Sequence, residues 1–297
     1  MSKSLIPAAA LVLLLAGCSS SQPPASSPVS TASVASTAPA SPVSAAPAAA
    51  ASVAPGASAS AAPAVSAPAI AGAASGGTPV PAPADTGKWV EGKNYFRIEP
   101  AVPTDHADHV VVTEVFSWGC PACNQFQPMA DAIRKSMPAY VHWQYLPASF
   151  FPSEDWPAFQ RAYYTAQALG LDNPATHDAM FKAIWTPGGP LNTYDGLGTS
   201  QPHVKQNLPT IADIARFYAR HGANAATFEA TADSFAVRAK MKRADQLIKA
   251  YGVDSTPTIV VNGTYRLDVA SAGGLAQTQE LVHYLAQKEA AAMHLQQ

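Results

Sequence analysis

The spacing of hydrophobic and polar residues changes several times along the chain. From Ser19 to Thr86, Ala, Ser, Pro and Val alternate with neither a helical nor a strand period. His109 to Phe116 (His-Val-Val-Val-Thr-Glu-Val-Phe) is then apolar and β-branched enough for a buried strand. An amphipathic run follows from Cys120 to about Met137. The same reading predicts strands near 95–99, 110–116, 141–146, 258–262 and 264–268, with helices near 121–136 and 276–290. Residues from about 150 to 251 are mostly helix-patterned, with helices predicted near 156–169, 174–185, 210–221 and 225–251. Asn262-Gly263 between two β-rich runs is a two-residue hairpin signal. Thr186 to Pro202, with Gly188, Gly189, Gly196 and Gly198, reads as a loop without the spacing of a phosphate cradle.

Charge divides the chain further. All but Lys3 and Asp85 of the 18 basic and 20 acidic residues lie between Lys88 and Gln297, and twelve of the 27 prolines lie between Ser19 and Thr86. One globular domain, 88–297, is therefore expected behind an uncharged leader. The net charge of −2 gives no footprint for nucleic acid and no basic face for acidic lipid.

Residues 1–17 have a basic start, an apolar run from Leu5 to Leu15 and small residues before Cys18, the pattern of an export signal. A membrane span needs about 20 apolar residues, more than this run offers. Leu15-Ala16-Gly17-Cys18 is similar to the lipobox of bacterial lipoproteins, which implies cleavage before Cys18 and lipidation of Cys18. Residues 18–87 read as a disordered Ala/Ser/Pro tether, because such a segment buries too little apolar surface to offset chain entropy. As a coil it would reach roughly 45 Å.

With Cys18 set aside, Cys120 and Cys123 are the remaining cysteines. A bond between cysteines three apart closes almost no loop, so its contribution as a staple is small. One Cys-x-x-Cys is half a structural zinc site, and the eight histidines do not recur at ligand spacing, so no metal ligands are assigned. Redox chemistry fits better. Pro121 suits the first helical position, which places Cys120 at the N-cap. There, unpaired N–H groups and the helix dipole favour a thiolate, making Cys120 a nucleophile and a good leaving group. Cys123, one turn on and shielded, would resolve the mixed disulfide.

Two motifs extend this reading: Glu114-Val115-Phe116-Ser117-Trp118-Gly119-Cys120-Pro121-Ala122-Cys123, and Gly252 to Tyr265 around Ser255-Thr256-Pro257-Thr258. Together they resemble the DsbA family of periplasmic thiol:disulfide oxidoreductases. The resemblance implies an α/β, thioredoxin-like fold with an inserted helical domain at approximately 150–251. It implies that Pro257 is a cis-proline facing the cysteines and that Glu114 is a buried proton-relaying acid. Thr256, Trp118, Pro121 and Ala122 are then expected to face the substrate. Ala122 stands where the family usually has a thiolate-stabilising His, and Thr256 where its most oxidising members have Val. Both departures point to an intermediate potential.

The function expected is a thiol:disulfide oxidoreductase that introduces disulfides into exported proteins with free thiols. It would need no cofactor beyond the Cys120–Cys123 disulfide, and a quinone-linked membrane reoxidase of DsbB type would regenerate it. A monomer is expected, on the periplasmic side of the envelope, held to the membrane only through Cys18. A reductase or isomerase of the same fold, and a non-enzymatic metal or redox chaperone, are the alternatives.

Overall fold

The computed structural model describes residues 77–297. In chain order, the first half comprises β1 (Phe96–Arg97), β2 (Val110–Phe116), α1 (Pro121–Ser136), β3 (Val141–Pro147), α2 (Trp156–Ala168) and α3 (Pro174–Trp185). The second comprises β4 (Tyr194–Asp195), β5 (His203–Val204), α4 (Ile211–Ala219), α5 (Ala225–Ala232), α6 (Phe235–Ala250), β6 (Thr258–Val261), β7 (Tyr265–Leu267), α7 (Val269–Ala272) and α8 (Leu275–Ala292).

The sheet has the order β1-β7-β6-β2-β3. β2 is buried along its whole length, as its β-branched run predicts. It pairs in parallel with β3 across α1 and antiparallel with β6. Side chains alternate across the sheet. Val110, Val112, Ile259 and Val261 pack with Phe126, Ala130 and Ile133 of α1 and with Leu281 and Leu285 of α8. Val115 and Val260 belong to a second cluster that runs into the helical insertion, α2 to α6. His177 is in that cluster's aromatic floor, stacked on Tyr145 at 4.2 Å, and burial pushes its imidazole down to about 3.

The hairpin after β6 turns at Asn262 and Gly263, both at positive φ (52° and 62°), as the Asn-Gly signal predicts. A side chain at Gly263 would place its Cβ 1.9 Å from the Val102 carbonyl oxygen, so the position admits only glycine.

Three predicted elements differ. The helix expected over 225–251 is two helices: Asp233 ends α5, and the Ser234 side chain accepts the Val237 N–H to start α6. The Ala- and Lys-rich sequence hides that cap under high helix propensity. The loop Thr186–Pro202 contributes β4, which pairs with β5. Residues 77–87, read as part of the tether, lie on the domain: Val80 is buried, its N–H donates to the Leu295 carbonyl at 2.9 Å, and the Gln297 N–H donates to the Thr78 carbonyl at 2.9 Å. A Pro- and Ala-rich composition does not reveal a segment held by backbone hydrogen bonds and one buried valine.

Candidate active site

The end of β2 and the start of α1 build the site. After Phe116 the chain turns through Ser117-Trp118-Gly119, and the Ser117 hydroxyl accepts the Gly119 N–H at 3.1 Å. Cys120 is the N-cap of α1 in extended conformation, with Pro121 at the first helical position. Its sulfur accepts the Cys123 N–H at 3.2 Å, and in thiol form donates to the Thr256 carbonyl at 3.5 Å. Thr256–Pro257 is a cis peptide at the start of β6, so the two motifs that are far apart in sequence meet across Cys120.

Both cysteines are free thiols with different surroundings. The hydrogen bond from Cys123 holds the Cys120 thiol down to about 6, assisted against burial by the Thr256 side chain and the Cys123 and Ala122 N–H groups. Burial pushes the Cys123 thiol well above its ordinary range, and its hydrogen bond to Cys120 adds to that. One sulfur is thus an ionisable nucleophile at neutral pH and its neighbour stays protonated.

Glu114 is 1% exposed, in register with Ile259 of β6 and Tyr145 of β3. Its Oε2 has no partner, and burial, then the charge of Cys120, push its carboxyl up to about 8. Glu114 in turn raises the Cys123 thiol, so this carboxyl lies within electrostatic reach of both sulfurs.

Pro121 and Ala122 are exposed beside Cys120, and Thr256 is half-buried opposite. Trp118 corrects its expected place on the substrate surface: it is 2% exposed, packed against Phe116, Tyr163 and His177. Its carbonyl accepts the Trp185 indole N–H at 2.8 Å, so Trp118 supports the turn from inside. Cys18 lies outside the described residues.

Sequence reasoning missed the insertion's share of the site. A Cβ at Gly119 would stand 2.8 Å from the Trp156 ring, so α2 closes directly onto the active-site turn. Tyr194 stacks on Trp185 at 5.6 Å, and burial, then Glu154 and more weakly the charge of Cys120, raise its phenol above the ordinary range. No local motif marks these residues; only the packing of the insertion against the Cys120 turn does.

The thioredoxin family model matches residues 104–278. The chain is 34% identical over 209 residues to the thiol:disulfide interchange protein DsbA of Pseudomonas aeruginosa, covering 70% of this chain and 90% of that protein. The DsbA of Pseudomonas syringae is 33% identical over 201 residues, covering 68% and 85%.

This chain belongs to the DsbA family.

The crystal structure of Pseudomonas aeruginosa DsbA superposes with a TM-score of 0.58 at 33% identity, covering 70% of this chain and 97% of that one. DsbA from Xylella fastidiosa gives 0.58 at 28% identity, covering 68% and 98%. The chain is accordingly a thiol:disulfide oxidoreductase of the DsbA type, with a thioredoxin-like fold. Neither a reductase or isomerase nor a metal chaperone is favoured by these relatives. Among the described residues, no helix is long and apolar enough to cross a membrane.

Proposed function

We propose that Cys120 and Cys123, joined as a disulfide, oxidise pairs of thiols in exported proteins on the periplasmic side of the bacterial envelope. A substrate thiolate attacks the Cys120 sulfur and the Cys120–Cys123 bond breaks, its electron pair passing to Cys123. Cys123 takes up a proton, because its burial disfavours the thiolate. Glu114, held protonated up to about pH 8, supplies it and regains it from water. A second substrate thiolate then attacks the substrate sulfur of the mixed disulfide. Cys120 leaves as a thiolate, stabilised by the Cys123 thiol, the Thr256 side chain and the helix N–H groups. Two electrons have moved from substrate to enzyme.

The Thr256 carbonyl lies where the backbone of an extended substrate would pair beside Cys120, a mode that needs no particular side chains. Pro121 and Ala122 flank that track. No cofactor takes part beyond the disulfide. A quinone-linked membrane partner of DsbB type restores it, with the chain working as a monomer on a tether from a lipidated Cys18. Cys120 at the N-cap of α1, its sulfur accepting the Cys123 N–H and facing the cis Thr256–Pro257 peptide, is the observation that carries this reading.

The test is oxidation of a reduced, unfolded protein by the disulfide form. Cys120→Ser is expected to abolish it. Cys123→Ser is expected to accumulate a mixed disulfide through Cys120 when offered an activated substrate disulfide. Oxidation that continues in either variant overturns the mechanism.

A further inference from the structure

No metal ligands were assigned from sequence, yet the fold gathers histidines at the end of the sheet away from the cysteines. His106, Asp108 and His109 stand on the segment that leads into β2, and each offers a ligand atom within 4.8 Å of the others. The second residue of β3, His142, is opposite Val111 in the parallel ladder and carries its ring to 4.2 Å from that of His106. His109 Nδ1 lies 3.0 Å from the Asp108 carboxylate. This contact already sets a ring nitrogen and a carboxylate oxygen at about the separation of two ligands on one ion. The Thr104 hydroxyl donates to the His106 carbonyl at 3.4 Å and helps to fold this segment.

We propose that His106, Asp108, His109 and His142 bind one divalent transition-metal ion of the zinc or copper(II) class. Three imidazoles and a carboxylate are borderline nitrogen and oxygen donors. That set suits Zn(II), Cu(II) or Ni(II) and disfavours the hard cations Mg(II) and Ca(II), which take all-oxygen sites. Tetrahedral zinc with bonds of about 2.0–2.1 Å places its ligand atoms about 3.3 Å apart. For His106, Asp108 and His109, closing from 4.8 Å takes side-chain rotation, for which these half-buried and exposed residues have room; His142 joins them from β3, its ring 4.2 Å from that of His106. The seven residues of β2 put the ion about 20 Å or more from Cys120. It would cross-link the segment before β2 to β3 and take no part in thiol exchange.

Thiolates also bind these metals, so the test removes them. The full chain carrying Cys18→Ser, with Cys120 and Cys123 oxidised to the disulfide, is titrated with zinc chloride by calorimetry. The expected result is one ion per chain. His106→Ala with His109→Ala should weaken it at least about tenfold, and His142→Asn alone should also weaken it. Cobalt(II) should give the d–d absorption of nitrogen and oxygen ligation without thiolate charge transfer. Circular dichroism and the rate of thiol oxidation are expected to stay unchanged in the histidine variants. Absence of saturable binding up to about 1 mM zinc overturns the proposal. So does zinc affinity unchanged in folded His142→Asn and in the double variant.

Discussion

Two buried acids near the same helix terminus depart from their ordinary ranges in opposite directions, and their pH signatures should separate. The Cys120 thiol is lowered from 9.0 to about 6, so its stabilisation of the reduced fold is complete above 9 and is lost as pH falls through about 6. The alkylation rate of Cys120 is expected to rise with a midpoint near pH 6. Thr256→Val should move that midpoint up, because the Thr256 side chain favours the thiolate, and Ala122→His should move it down. Glu114 behaves inversely. Its carboxyl is raised from 4.5 to about 8, so its burial cost is absent below 4.5, grows between the two values and is full above 8. Glu114→Gln is expected to stabilise the fold at pH 8.5 by at most about 4–5 kcal/mol, seen as a higher melting temperature, and to change little at pH 4.5. A variant equally stabilised at both pH values would remove the carboxyl's ionisation from the explanation.

At the scale of elements, the turn that presents Cys120 depends on a contact across the fold. Gly119→Ala would drive a methyl into the Trp156 ring, so we expect a loss of about 1–3 kcal/mol in chemical denaturation together with slower substrate oxidation. Ser234→Ala, which removes the α6 cap, should cost about 1 kcal/mol and leave oxidation unchanged. A loss of activity in Ser234→Ala as large as in Gly119→Ala would mean that insertion stability, not the Trp156 contact, governs the site. Local patterns in the sequence foretold β2, α1 and the Asn262-Gly263 turn, since a β-branched run, a Pro at N1 and an Asn-Gly pair each carry their own physical cause. Trp156, Trp185 and Tyr194 were not legible, because their role comes from how the insertion closes on the sheet. The same reason hid the histidine cluster: His142 follows His106 by a whole β–α–β unit and meets it only through strand pairing.

Over the whole molecule, the direction of electron flow follows from how far the reduced state is stabilised. A reference DsbA has a nucleophilic thiol near about 3.5 and a potential near about −120 mV, whereas thioredoxin lies near about −270 mV. A Cys120 thiol at about 6 forgoes about 3 kcal/mol of thiolate stabilisation at pH 7 relative to that DsbA, equivalent to about 70 mV. On that basis the potential is expected near about −190 mV, between the two references. Structural disulfides of secreted proteins lie below about −300 mV, so transfer to substrate remains downhill by about 5 kcal/mol. The measurement to make is the reduction potential of the Cys120–Cys123 pair in the full chain carrying Cys18→Ser, equilibrated against glutathione at pH 7. A value near about −190 mV, moving toward about −120 mV in Ala122→His, is the expected result. A value of about −250 mV or lower would put the pair with the reducing thioredoxins and contradict its assignment as an oxidant.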